Sequence, residues 1–92
     1  MKKTIDIPKH FTIEEAARFR ENTYSILSKN TIEFELNFSS CEFIDSTGLG
    51  VLVGLLKKCG DNGSTIVIKS LKKEIREMFH MTRLDQVFEI IE

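Results

Sequence analysis

Asp45, Ser46 and Thr47 stand side by side and are followed by glycines at 48 and 50. A carboxylate next to two hydroxyls first suggests a nucleophile with a base. A nucleophilic serine also needs a group that orients that base. No motif places His10 or His80 beside Ser46, and no Gly-x-Ser-x-Gly turn occurs. Asp45 is a poor base for Ser46, because adjacent residues at a helix start rarely align for proton transfer. Cys41 and Cys59 have no clustered histidines, and no His-Glu-x-x-His occurs, so no metal site is expected. Gly60-Asp61-Asn62-Gly63 fits neither a P-loop nor a dinucleotide fingerprint and reads as a turn. The expectation is a protein that is not an enzyme, with no cofactor and no catalytic residue. What remains is the Ser46 hydroxyl itself.

The surroundings of that hydroxyl predict where it stands. Residues 32–38 alternate Ile32, Phe34, Leu36, Phe38 against Glu33, Glu35, Asn37, the pattern of a strand with one face buried. A helix-length apolar run follows, predicted over residues 47–59. Ser46 is then the expected N-cap, its oxygen accepting from a free N–H of the first turn. Gly48 and Gly50 leave that turn open to close approach. Helix starts tolerate anions, so a phosphate on Ser46 need not unfold the domain. Within the helix, Leu49, Leu52, Val53 and Leu56 form the expected core stripe. Val51 and Leu55 point elsewhere. They either pack under a neighbouring element or help form a protein-binding face beside Ser46.

The remaining elements support this strand and helix. Residues 4–7 read as a short edge strand ended by Pro8, with His10 in a loop. Thr12 and Glu15 form a capping box for a helix over residues 13–28, with Ile13, Ala16, Ala17, Tyr24 and Leu27 on one stripe. Asn30 is a candidate left-handed stop. Residues 64–69 form a β-branched strand. Ser70 is the expected cap of a helix over residues 71–80, with Leu71, Ile75, Met78 and Phe79 inward and Met78 and Met81 as core filler. A turn at 82–85 and a strand over 87–91 close the chain. The order β-α-β-α-β-α-β predicts an α/β fold. Its mostly parallel sheet has four strands, or slightly more, with helices mainly on one face.

At 92 residues the chain is expected to form one domain, residues 1–92. The net charge of −1 is spread evenly and includes no basic block, so no nucleic-acid partner is expected. The apolar runs are too short to span a bilayer, and the N-terminus is no signal peptide, so no membrane is expected and the protein reads as cytoplasmic. The two cysteines are expected to be reduced, buried hydrophobes.

The run Phe43-Ile44-Asp45-Ser46-Thr47-Gly48-Leu49-Gly50 resembles the signature of STAS-domain proteins, in particular the bacterial anti-sigma factor antagonists. The likeness continues to Leu84-Asp85-Gln86-Val87-Phe88-Glu89-Ile90. The resemblance implies a phosphoprotein that acts in transcription regulation and signal transduction by partner switching. It implies phosphorylation on Ser46, with Thr47 as the alternative acceptor. It also implies a partner-binding face of Asp45, Ser46, Thr47, Gly48, Leu49, Gly50, Val51 and Leu55. The implied partners are an anti-sigma factor that is itself a GHKL-type serine kinase, and a PPM-type serine phosphatase. Other members suggest two alternative outputs: a non-sigma target, such as a signalling enzyme or a secretion or biofilm system, or a transporter subunit. Three differences stand out: an extra first strand of the family is missing, Asn37 replaces a frequent Asp, and Ser39-Ser40 stand near a usual Gly.

Overall fold

The computed structural model describes residues 1–91. Four strands, β1 (Lys2–Asp6), β3 (Glu33–Asn37), β5 (Thr65–Lys69) and β6 (Glu89–Ile91), pair in the order β1-β3-β5-β6. All three pairings are parallel. A two-residue pair, β2 (His10–Phe11) with β4 (Phe43–Ile44), is also parallel and lies apart from the main sheet. The helices are α1 (Ile13–Leu27), α2 (Ser46–Asn62) and α3 (Lys73–Met81), followed by a 3-10 turn at Leu84–Gln86.

Each crossover steps to the next strand in the same direction. Right-handed crossovers therefore bring the helices to one face. Phe34 and Leu36 of β3 and Ile66 and Ile68 of β5 are buried on that face. The opposite face carries Glu35, held by Lys2 at 3.0 Å and Lys69 at 2.6 Å across three strands. The strand order never reverses, so the sheet has no switch-point crevice of the kind that holds nucleotides in doubly wound folds.

The α/β class, the parallel four-stranded sheet and the edge position of β1 agree with the sequence. Several local expectations do not. In α1 the buried residues are Ala16, Phe19, Thr23 and Leu27, while Ile13 is 67% exposed and Ala17 is exposed. Thr23 is buried because its hydroxyl donates to the Phe19 carbonyl at 2.8 Å. Thr12 holds the N-cap position without a side-chain bond, and Glu15 pairs with Arg18 instead of closing a capping box. Asn30 has no positive φ; its amide donates to the Ile26 carbonyl at 3.3 Å.

Helix α2 runs through to Asn62, and only Gly63, at φ 81°, ends it. Its buried residues are Gly48, Leu52, Leu55 and Cys59, a stripe rotated from the expected one. Helix α3 starts after Lys72, not Ser70. Ser70 is left-handed at φ 64°, which a non-glycine residue adopts only at a cost, on the order of 1 kcal/mol. Leu71 is buried ahead of the helix, and Met81 is 83% exposed instead of core filler. His10 belongs to β2 rather than a loop, and β6 is shorter than expected, leaving Val87 55% exposed. Asn37 donates to Asp6 at 3.0 Å and accepts from the Ser39 N–H at 3.1 Å, so it ties two strand ends together.

Candidate functional site at the start of helix α2

The small β2/β4 pair sets the geometry of the site. Its register, His10 opposite Phe43 and Phe11 opposite Ile44, carries two parallel chain segments out together. Helix α1 starts two residues after Phe11, and α2 starts two residues after Ile44. The two amino ends therefore emerge as neighbours. An open groove lined by Pro8, His10, Ile13 and Asp45 separates them.

Asp45, not Ser46, is the N-cap of α2. Its carboxylate accepts from the Gly48 N–H at 2.9 Å, and its carbonyl accepts from the Leu49 N–H at 3.0 Å. This corrects the sequence expectation. Asp and Ser are about equally good caps, so residue type could not choose between them. The consequence is that Ser46 is the first helical residue, exposed, with no hydrogen bond from its hydroxyl among the described residues. Thr47 is exposed beside it.

Gly48 is buried for a reason internal to the fold. A Cβ there would lie 2.4 Å from the Phe11 carbonyl oxygen and 2.8 Å from Ile44 Cγ1. The close approach that Gly48 permits is that of β2. Gly50 differs: it is exposed, and a Cβ would meet nothing within 4 Å. Leu49 and Val51 are half-buried. Leu55 is fully buried and offers no surface, which removes it from the expected binding face. It packs inward because seating Gly48 against Phe11 turns residues 52, 55 and 59 to the core.

The same rotation exposes a residue that sequence reasoning assigned to the core. Val53 is 43% exposed, three residues beyond Gly50 and seven beyond Ser46. Ser46, Gly50 and Val53 thus share one outward stripe. The signal was available as that spacing, but the uniformly apolar run hid the phase. Phe43, the first residue of the signature run, is 51% exposed, which the sequence did not signal.

The other candidates do not gather here. His80 Nδ1 lies 3.0 Å from Asp85 Oδ2 beyond α3. Cys41 and Cys59 are free and buried. Burial pushes the Cys41 thiol up and the Cys59 thiol to about 11. Among the described residues no three His, Cys, Asp or Glu side chains gather to hold a metal ion. No helix among them is long and apolar enough to cross a membrane.

The STAS domain family profile matches residues 3–92. The chain belongs to the STAS domain family. A Thermotoga maritima protein named as an anti-sigma factor antagonist is 30% identical over 83 residues, which is 89% of this chain and 74% of that protein. Its crystal structure superposes with a TM-score of 0.83 at 28% identity, covering 97% of this chain and 79% of the other. The anti-sigma-B factor antagonist of Staphylococcus epidermidis is 30% identical over 64 residues, 70% of this chain and 59% of its own length. The anti-sigma factor antagonist SpoIIAA, in its unphosphorylated form, gives a TM-score of 0.80 at 13% identity, over 99% of this chain and 79% of its own, a likeness of fold alone. This STAS chain thus spans little more than half of the Staphylococcus protein.

Proposed function

We propose that this STAS protein is a phosphorylation-regulated partner switch, without catalytic activity of its own. Its unphosphorylated form binds and sequesters an anti-sigma factor of the GHKL serine-kinase class. The kinase transfers a phosphate to Ser46, the complex separates, and a PPM-type phosphatase resets the cycle. The observation that carries this reading is the exposed Ser46 hydroxyl, unbonded at the first position of α2 while Asp45 provides the cap. Anti-sigma factor antagonists among the relatives support it, as does a solved phosphorylated form of SpoIIAA.

The energetics favour a switch over a collapse. A phosphate adds about −1.5 to −2 charges. At the start of α2 the helix dipole offsets that charge by about 0.3–1 kcal/mol. Covered by a partner and left unpaired, it costs on the order of several kcal/mol. Each ~1.4 kcal/mol is a factor of ten in affinity. The fold survives while the complex does not. Asp45 keeps its cap throughout and adds a second negative charge beside the phosphate. The proposed face comprises Asp45, Ser46, Thr47, Leu49, Gly50, Val51 and now Val53, with Gly48 holding the helix in place from behind.

The test is intact-mass and peptide mass spectrometry after incubation with ATP and the GHKL-type kinases of the same cell. Wild type gains one phosphate on Ser46, and Ser46→Ala gains none. A phosphate that persists in Ser46→Ala, on Thr47 or elsewhere, would overturn the assignment.

A further inference from the structure

The carboxyl-terminal half of the α1–α2 seam concentrates positive charge that no ion pair among the described residues neutralises. Tyr24 of α1 is half-buried, and its hydroxyl lies 3.1 Å from where a Cβ on Gly54 would be. The glycine lets the ring lie across α2. Two cations from different helices converge on that ring. The Arg20 guanidinium is 5.1 Å and the Lys58 ammonium 5.4 Å from its centroid. Lys57 is exposed next to Lys58. None of the three makes an ion pair among the described residues. The ring quadrupole holds the two cations together despite their repulsion. Nearby acids are few: Glu21 on α1 is exposed, and Asp61 lines the adjoining groove without pairing with Lys58.

Position makes this cluster informative. Lys57 lies four residues beyond Val53 and eleven beyond Ser46, about 16 Å along the helix axis. It continues the outward stripe of Ser46, Gly50 and Val53. The combined face carries hydroxyls beside the Asp45 carboxylate and the small apolar surface of Gly50 and Val53 at the phosphoacceptor end, and is cationic at the other.

We propose that Arg20, Lys57 and Lys58 receive a carboxylate-bearing segment of the same kinase that docks on Ser46. This contact rests on the reading of α2 as the partner face. It assigns a separate task to each end. The far end attracts and aligns the partner through opposite charge, which sets association rate and orientation. The near end carries the switch. A phosphate 16 Å away is screened from the lysines by salt, so the acidic contact survives modification while the apolar contact is lost. Release is then stepwise, with the far end letting go last.

The experiment measures affinity by titration calorimetry, using as probe the kinase that phosphorylates Ser46. Lys57→Glu/Lys58→Glu is compared with wild type at about 50 and about 500 mM salt. The expected result is at least a tenfold loss at low salt that largely disappears at high salt, with the thermal midpoint unchanged. If the reversed pair disturbs folding, Lys57→Gln/Lys58→Gln gives the smaller, same-sign loss. Binding within twofold of wild type at low salt in either folded variant overturns the proposal. Ser46→Asp is measured alongside. If it weakens binding while the lysine variants do not, the acidic contact fails and the partner-switch reading stands. If the lysine variants weaken binding and Ser46→Asp does not, the contact stands and the role of Ser46 falls.

Discussion

At Asp45 and Ser46, two residues of nearly equal capping ability divide two tasks. One carboxylate oxygen of Asp45 is committed to the Gly48 N–H, and the Ser46 hydroxyl is left for a visitor. Had Ser46 been the cap, phosphorylation would have removed the bond that starts its own helix. The division predicts a stability difference. Asp45→Ala loses about 1 kcal/mol, whereas Asp45→Asn, which still accepts from Gly48, loses much less. Ser46→Ala leaves stability within about 0.5 kcal/mol, as for other surface sites. Urea denaturation checks all three. A Ser46→Ala loss as large as that of Asp45→Ala would restore Ser46 as the cap. The sequence made a hydroxyl at a helix start legible, and its reading as the cap is what the structure corrects. It could not say which of two adjacent caps the helix uses.

At the scale of elements, α2 was legible as a helix but not in its phase or its end, which lies at Asn62 beyond the expected turn at Gly60. Strand β3 alternates polar and apolar residues, so its buried face follows from the pattern alone. Helix α2 is apolar on every side from Leu49 to Leu56, and hydrophobicity could not set its rotation. The contact between Gly48 and the Phe11 carbonyl does, and it depends on a two-residue strand too short to announce itself. The Ile13 and Ala17 placements in α1 differ for a related reason: the helix buries a stripe through Ala16, Phe19, Thr23 and Leu27, rotated from the expected one, with Tyr24 still packed at its edge. Two glycine substitutions separate the roles. Gly48→Ala forces Phe11 and Ile44 apart and costs about 1–3 kcal/mol. Gly50→Ala meets no atom within 4 Å and raises stability by up to about 1 kcal/mol, yet it weakens kinase binding because it fills the partner's approach. Thermal unfolding and a binding titration check both halves. A Gly50→Ala variant that binds as well as wild type would remove Gly50 from the face.

For the whole molecule, the one-sided arrangement follows from the topology. A sheet that grows in one direction collects its helices on one face and leaves the other as a charged surface, with Glu35 between Lys2 and Lys69. The hydrogen bond from Lys69, then that from Lys2, holds the Glu35 carboxyl below the usual carboxylate range. Its folded pKa is depressed, so its contribution is present above the ordinary range and is lost as pH falls through the lowered value. Burial raises the Cys59 thiol from near 9 to about 11. That contribution is full below the ordinary value and is lost as pH rises toward about 11. Stability measured against pH therefore falls at both limits. Glu35→Gln flattens the acid limb and Cys59→Ala the alkaline one, and unchanged limbs in these variants would refute the assignments. The central claim concerns the complex more than the monomer. It is that a phosphate on Ser46 is tolerated by the fold and rejected by the partner. The direct measurement is kinase affinity for the unmodified and the stoichiometrically Ser46-phosphorylated protein, with the thermal midpoint of each. The account predicts an unchanged midpoint and binding weakened about a hundredfold or more. Equal affinities, or a phosphate that melts the domain, would contradict it.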